Sequence, residues 1–279
     1  MSGGSVVVTG ASTGIGEATA RQLAGLGFDV LAGVRNDDDA ERLRGERVEP
    51  LKLDVTDAAS IASARDQTEK ATGGRLAGLV NNAGIAVAAP LEYIPIERLR
   101  EQLEVNLIGQ VAVTQALLPF LRAARGRIVN VSSIGGRVAL PLAGPYAASK
   151  FALEAVSDSL RRELRHLGVD VVVIEPGGIK TPIWKKGNAA ADEMLKEVPD
   201  EAESLYGDLV NAVRSETQKI ATETGLPPSA VAEVIGTAMT AGKPRTRYIV
   251  GRDAKVRAAI AKRVPDRVMD SLIARALSG

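Results

Sequence analysis

Short, uninterrupted apolar runs separated by longer amphipathic stretches recur along this sequence, and that alternation restricts the fold more than any other feature. Seven runs stand out: Ser5 to Thr9, Asp29 to Val34, Val48 to Leu53, Leu76 to Asn81, Arg127 to Val131, Val169 to Glu175 and Arg247 to Val250. Most are apolar at consecutive positions, the pattern of strands covered on both faces. The stretches between them carry helical periodicity. The repeating unit is therefore strand, helix, strand, which predicts an α/β fold: a doubly wound parallel sheet of about seven strands with helices on both faces. With 279 residues, 45% of them hydrophobic, a single domain over 1–279 can bury a full core. The rhythm breaks once, between Gly177 and Pro228, where the crossover is far longer than one helix and carries Trp184, Met194 and Tyr206. A substrate lid is expected near 178–228, and a C-terminal helical extension near 252–279.

Composition removes several classes of function. A formal net charge of +1 provides no cationic face for a polyanion, so nucleic acid is not an expected partner. The absence of Cys excludes disulfides, thiolate nucleophiles and thiolate metal sites, and no metal is expected. His166, the single His, follows Arg165 at a helix end without a ligand or triad partner and reads as structural. Met1-Ser2-Gly3-Gly4 runs straight into the first strand with no basic or long apolar leader, and a cytoplasmic location is the expectation. After Gly251 the tail alternates Lys255, Arg257 and Lys262 with Ile260, Val264, Leu272, Ile273 and Leu277, and Pro265 separates two short helices. Asp253, Asp266 and Asp270 dilute its charge, so these helices are expected to cover their own domain or a partner subunit, and membrane association is not expected.

The first strand leads directly into Gly10-Ala11-Ser12-Thr13-Gly14-Ile15-Gly16 and then into a good helix former from Glu17 to Ala24. Glycines let a pyrophosphate approach the backbone, and the free N–H groups and dipole of a helix start favour an anion. In the first strand-to-helix turn of a doubly wound sheet, that combination predicts a dinucleotide site. Downstream, Tyr146-Ala147-Ala148-Ser149-Lys150 opens an apolar-periodic helix through Phe151, Leu153, Val156 and Leu160. A four-residue spacing puts the phenol and the ammonium on one helix face, where the cation favours phenolate. Moving a phenol from its usual pKa of about 10 to near neutrality takes about 4 kcal/mol of such preference. The fifth strand ends in Ser132-Ser133 at the carboxyl edge of the sheet, where open α/β folds place ligands.

The turn spells Thr9-Gly10-x-x-x-Gly14-x-Gly16 instead of G-x-G-x-x-G, and in that form it resembles the short-chain dehydrogenase/reductase family, whose compact branch has a Rossmann-type sheet. The resemblance runs from Val6 to Thr181. It implies a catalytic set of Asn106, Ser133, Tyr146 and Lys150: Tyr146 exchanging the proton, Ser133 hydrogen-bonding the substrate oxygen, Lys150 acting on the phenol and the nicotinamide ribose, and Asn106 holding a water and the Lys in a relay. It also implies cofactor contacts from Gly10, Ser12, Thr13, Gly14, Ile15, Gly16, Arg35, Asp54, Val55, Asn82, Ala83 and Gly84, and from Tyr146, Lys150, Pro176, Gly177, Ile179 and Thr181. Asp54 and Val55 would lie near the adenine, and Ile179 and Thr181 near the carboxamide.

The end of the second strand bears on the choice of nucleotide, because an acid there accepts from a 2′-hydroxyl whereas a base meets a 2′-phosphate. Val34 stands at the acidic position of NAD-specific relatives and Arg35 follows, which favours NADP(H), with NAD(H) the alternative. Asp37, Asp38 and Asp39 follow and either pair with Arg35 or repel a phosphate, and Thr13 occupies a position that is basic in many NADP-binding relatives. The stretch from Lys180 to Lys185 and the excursion to Tyr206 resemble the lid of hydroxysteroid and retinol dehydrogenase-like members, implying a lipophilic, steroid- or retinoid-like alcohol or carbonyl substrate. Trp184, the single Trp, is equally readable as an anchor of the lid. By the same resemblance, a dimer or tetramer forms through the helices around Asn106 and Phe151. Two rivals are an epimerase/dehydratase, which would carry T-G-x-x-G-x-x-G and a larger C-terminal domain, and a non-catalytic NAD(P)-binding sensor, which would have lost catalytic residues.

Overall fold

Val6, Val7 and Val8 have no solvent exposure, which only the centre of a sheet covered on both faces allows. They belong to β1 (Ser5–Val8), an interior strand of a seven-stranded, all-parallel sheet in the order β3-β2-β1-β4-β5-β6-β7. The others are β2 (Asp29–Val34), β3 (Val48–Lys52), β4 (Gly78–Asn81), β5 (Arg127–Val131), β6 (Asp170–Pro176) and β7 (Arg247–Val250). The computed structural model describes residues 3–196, 198–261 and 263–277. Met1, Ser2 and Lys262, read above in the sequence, lie outside them.

Each strand end falls within two residues of its sequence expectation. The largest difference is at β4, expected from Leu76: the Leu76 N–H donates to the Phe120 carbonyl at 3.1 Å, which ties that residue to a helix end before the sheet begins. Alternate residues feed opposite layers. Val6 and Val8 join Leu23 and Ile235 under α1 (Gly14–Gly25) and α9 (Pro228–Thr240), whereas Val7 joins Leu79, Leu117 and Phe120 under α3 (Ala58–Thr72) and α5 (Gly109–Ala124). The strand order reverses between β1 and β4, so their carboxyl ends open the ligand crevice of a doubly wound sheet.

The excursion expected near 178–228 consists of α7 (Pro182–Leu195), α8 (Asp200–Lys219) and a π-helical turn at Ile220–Thr224. Its base is closed by a parallel bridge in which Lys180 N–H donates to Leu226 O and Leu226 N–H to Gly178 O, both at 2.9 Å. The C-terminal segment forms α10 (Arg252–Ala261) and α11 (Asp266–Leu277). Among the described residues one helix, Ile96–Ala124, is long and apolar enough to cross a membrane by length and composition. It comprises α4 (Ile96–Leu103), a π-helical turn at Glu104–Ile108 and α5, and its Val113, Leu117 and Leu121 are buried against the sheet.

Candidate active site

The glycine turn closes only because two of its residues lack side chains. Gly10 has φ +61°, and a Cβ on Gly16 would lie 2.1 Å from the Gly10 carbonyl oxygen and 2.5 Å from Asn82 Nδ2. Asn82 stitches the turn to the end of β4, donating from Nδ2 to the carbonyls of Thr9 and Gly10 at 3.0 Å, while Thr9 Oγ1 accepts from the Asn82 and Ala83 N–H groups. Thr13 is the N-cap of α1 but makes no side-chain capping bond, so its side chain does not occupy the N–H groups of the first turn at the mouth of the crevice. A bare helix N-terminus reached by a glycine turn is the chemistry a pyrophosphate requires, so these residues fit a dinucleotide.

The opposite wall is the segment after β4, held by three buried amides spaced four apart. Gln102 Oε1 accepts from Val87 N–H at 2.7 Å, and its Nε2 donates to Ile85 O. Asn106 brackets Ile85, accepting from its N–H at 2.9 Å and donating to its carbonyl at 3.0 Å. Gln110 Nε2 donates to Ala83 O at 2.8 Å. The π-helical turn inserts an extra residue per turn here and turns Asn106 inward, where its Nδ2 also donates to Ser149 Oγ at 3.2 Å. Gln102, Gln110 and Ser149 were not singled out in the sequence, because polar residues at helical spacing look like a solvated face.

Tyr146 and Lys150 occupy successive turns of α6 (Gly144–Leu164), with the Lys150 Nζ 5.9 Å from the phenol ring centre. The ammonium is buried and donates to Val131 O at 2.8 Å, which ties α6 to the end of β5. Ser133 lies beyond that strand end. Its Oγ accepts from Gly135 N–H at 3.0 Å, capping a short 3₁₀ turn, and a hydrogen bond with Ser133 draws the Tyr146 phenol down. Burial is the larger influence and pushes the phenol above its ordinary value; burial also pushes Lys150 down to about 8, partly opposed by Glu154.

Behind Lys150 lies a partly buried ionic cluster. Arg247 contacts Glu154 and Asp158 at 3.0 Å and Glu175 at 3.3 Å, and Arg137 reaches Glu175 at 2.7 Å. Burial, followed by the neighbouring Glu175 charge among the raising influences, pushes the Glu154 carboxyl up. Glu175 leads into Pro176-Gly177-Gly178, whose last N–H is held by Asp253 Oδ2 at 3.1 Å, a contribution from α10. Ile179 is buried, and its carbonyl accepts from Trp184 Nε1 at 2.6 Å, which makes Trp184 an anchor of α7. Thr181 caps the same helix without a side-chain bond and packs beside Gly14 across the crevice. Asp54 turns its carboxylate to the N–H and hydroxyl of Thr56, and Val55 is buried. Ser12, Thr13, Ile15, Gly84 and the exposed Arg35 line or flank the same edge of the sheet.

Asn106, Ser133, Tyr146 and Lys150 thus converge where β4, β5 and α6 meet, facing the glycine turn across the crevice. The short chain dehydrogenase family pattern matches residues 5–192. The chain is 39% identical over 279 residues to the NADPH-dependent 3-dehydrocapnine reductase of Ornithobacterium rhinotracheale, covering 95% of this chain and 94% of that one. It is 40% identical over 280 residues to 17-beta-hydroxysteroid dehydrogenase type 6 of Bos taurus, covering 97% and 87%. A short chain dehydrogenase from Burkholderia cenocepacia, solved in complex with NADP, superposes with a TM-score of 0.75 at 27% identity over 99% of both chains.

Proposed function

This chain belongs to the short-chain dehydrogenase family and is an NAD(P)-dependent oxidoreductase of alcohol and carbonyl groups; from that premise we propose that it prefers NADPH and acts on a lipophilic, steroid- or retinoid-like substrate through Tyr146. The observation that carries the catalytic reading is the joint position of the Tyr146 phenol, the Lys150 ammonium and the Ser133 hydroxyl at one strand end. When bound, the nicotinamide supplies or accepts the hydride. Tyr146 gives a proton to the substrate oxygen or takes one from it, and Ser133 donates a hydrogen bond to that oxygen. Lys150, buried beside the phenol, provides the positive charge against which phenolate forms, and Asn106 fixes the wall after β4 and the second turn of α6.

Arg35 at the end of β2 and the NADPH dependence of the 3-dehydrocapnine reductase relative support the nucleotide preference. A lipophilic substrate is supported by the hydroxysteroid dehydrogenase relative and by the apolar cluster of Val87, Ala89, Ile94 and Met194 beneath the lid. A homo-oligomer and a cytoplasmic location belong to the same reading; the former is supported by Ile108 and Phe151, large apolar side chains exposed on the long helices. The test is reduction of ketosteroids, retinal and small carbonyls with NADPH and with NADH. The reading expects kcat/KM at least tenfold higher with NADPH and highest on the lipophilic members. Equal use of both nucleotides would contradict the first part, and a preference for small carbonyls the second.

A further inference from the structure

Three aspartates from Asp37 to Asp39, one residue beyond Arg35, would ordinarily repel a 2′-phosphate, but two of them are already paired. Asp37 is bound by Lys52 at 3.0 Å, and Asp39 by Arg42 at 2.9 Å. Arg42 comes from α2 (Asp37–Leu43) and reaches further than its helix. Its Nη1 lies 3.1 Å from Glu17 Oε1 on the first turn of α1, and its Nη2 also donates to the carbonyl oxygen of Ser12, inside the glycine turn. A guanidinium thus rests on the rim of the phosphate loop, next to Thr13, with its side chain 44% exposed. The Asp39 carboxyl is held below its ordinary range chiefly by the Arg42 hydrogen bond, with a smaller contribution from the charge of Lys186 on the lid helix α7.

We propose that Arg42, acting from α2 with Arg35, is a specificity-determining residue that recognises the 2′-phosphate of NADPH, with Asp39 holding the guanidinium in place. The proposal rests on the NADPH preference given above. A planar guanidinium offers paired donors matched to a phosphate, and a phosphate dianion is a stronger partner than either of the partly exposed carboxylates, Glu17 and Asp39, that hold Arg42 here. Arg42 therefore does two things at once: it neutralises the acid nearest the site and sets a cation against the backbone of the glycine turn. It also accounts for a glycine turn that carries Thr13 and no base of its own.

The experiment is calorimetric titration of NADP⁺, NAD⁺ and adenosine 2′,5′-bisphosphate into the wild type, Arg42→Ala, Arg42→Lys and Arg35→Ala. Arg42→Ala is expected to weaken NADP⁺ and the bisphosphate by roughly 10- to 100-fold while NAD⁺ stays within about twofold, and Arg42→Lys to fall between it and the wild type. Equal weakening of NAD⁺ and NADP⁺ would overturn the proposal, since Arg42 would then only support the turn; so would unchanged NADP⁺ affinity. If Arg35→Ala lowers NADP⁺ affinity selectively and Arg42→Ala does not, the NADPH preference stands and the role of Arg42 fails. A wild type that binds NAD⁺ more tightly than NADP⁺ would instead sink the preference itself.

Discussion

Lys150 carries a cost that its position in the site explains. Its ammonium is buried, and its pKa falls from 10.5 to about 8. Between those values the unfolded chain binds more protons than the folded one, so the stability penalty is full below about pH 8 and is relieved as pH rises toward 10.5. A shift of that size corresponds to about 3 kcal/mol at most, and the lost bond to Val131 O offsets about 1 kcal/mol of any gain from removing the charge. Lys150→Met is therefore expected to be inactive yet more stable than the wild type by about 1–2 kcal/mol at pH 7, with the gain gone by pH 10. Thermal melts at the two pH values check this; a variant destabilised equally at both would show that the ammonium is not desolvated as described.

At the scale of elements, the wall of the crevice after β4 depends on Gln102, Asn106 and Gln110, each tied to backbone of residues 83–87. Gln102→Ala leaves the buried Val87 N–H without its acceptor and should cost about 1–3 kcal/mol, with weaker cofactor binding and a smaller change in kcat. Denaturant unfolding and cofactor titration measure both; loss of kcat with unchanged stability would contradict the assignment. The strands were legible in the sequence because double-sided burial writes an apolar run, and the glycine turn because its backbone tolerates no side chain at Gly16. The amide ladder was not, since its partners lie up to 43 residues away and only the π-helical turn brings Asn106 inward. The same reason hid Asp253, which reaches Gly178 from 75 residues further along the chain.

Across the whole molecule, the ionic cluster joins what the sequence keeps apart. Arg247 on the last strand neutralises Glu154, one turn beyond Lys150, and the fully buried Glu175 that precedes the Pro176–Gly178 segment. Arg247→Met would leave Glu175 with Arg137 as its ion-pair partner and strip Glu154 of its own, and a loss of about 3–5 kcal/mol is expected by chemical denaturation. A loss below about 1 kcal/mol would mean that solvent already screens the cluster. In the sequence this Arg is one of 35 basic residues, and only the order of strands, with β7 beside β6, gives it a partner.

The most direct test of the account is the Tyr146→Phe variant, followed through the absorbance of the reduced nicotinamide with a lipophilic ketone that the wild type turns over. Removal of the phenol hydroxyl is predicted to lower kcat by about 10²–10⁴-fold while the cofactor Kd and the melting temperature stay near wild type, because the hydroxyl moves the proton and the glycine turn holds the nucleotide. Turnover within a few-fold of wild type would contradict the assignment of the proton to Tyr146 and with it the reading of the site.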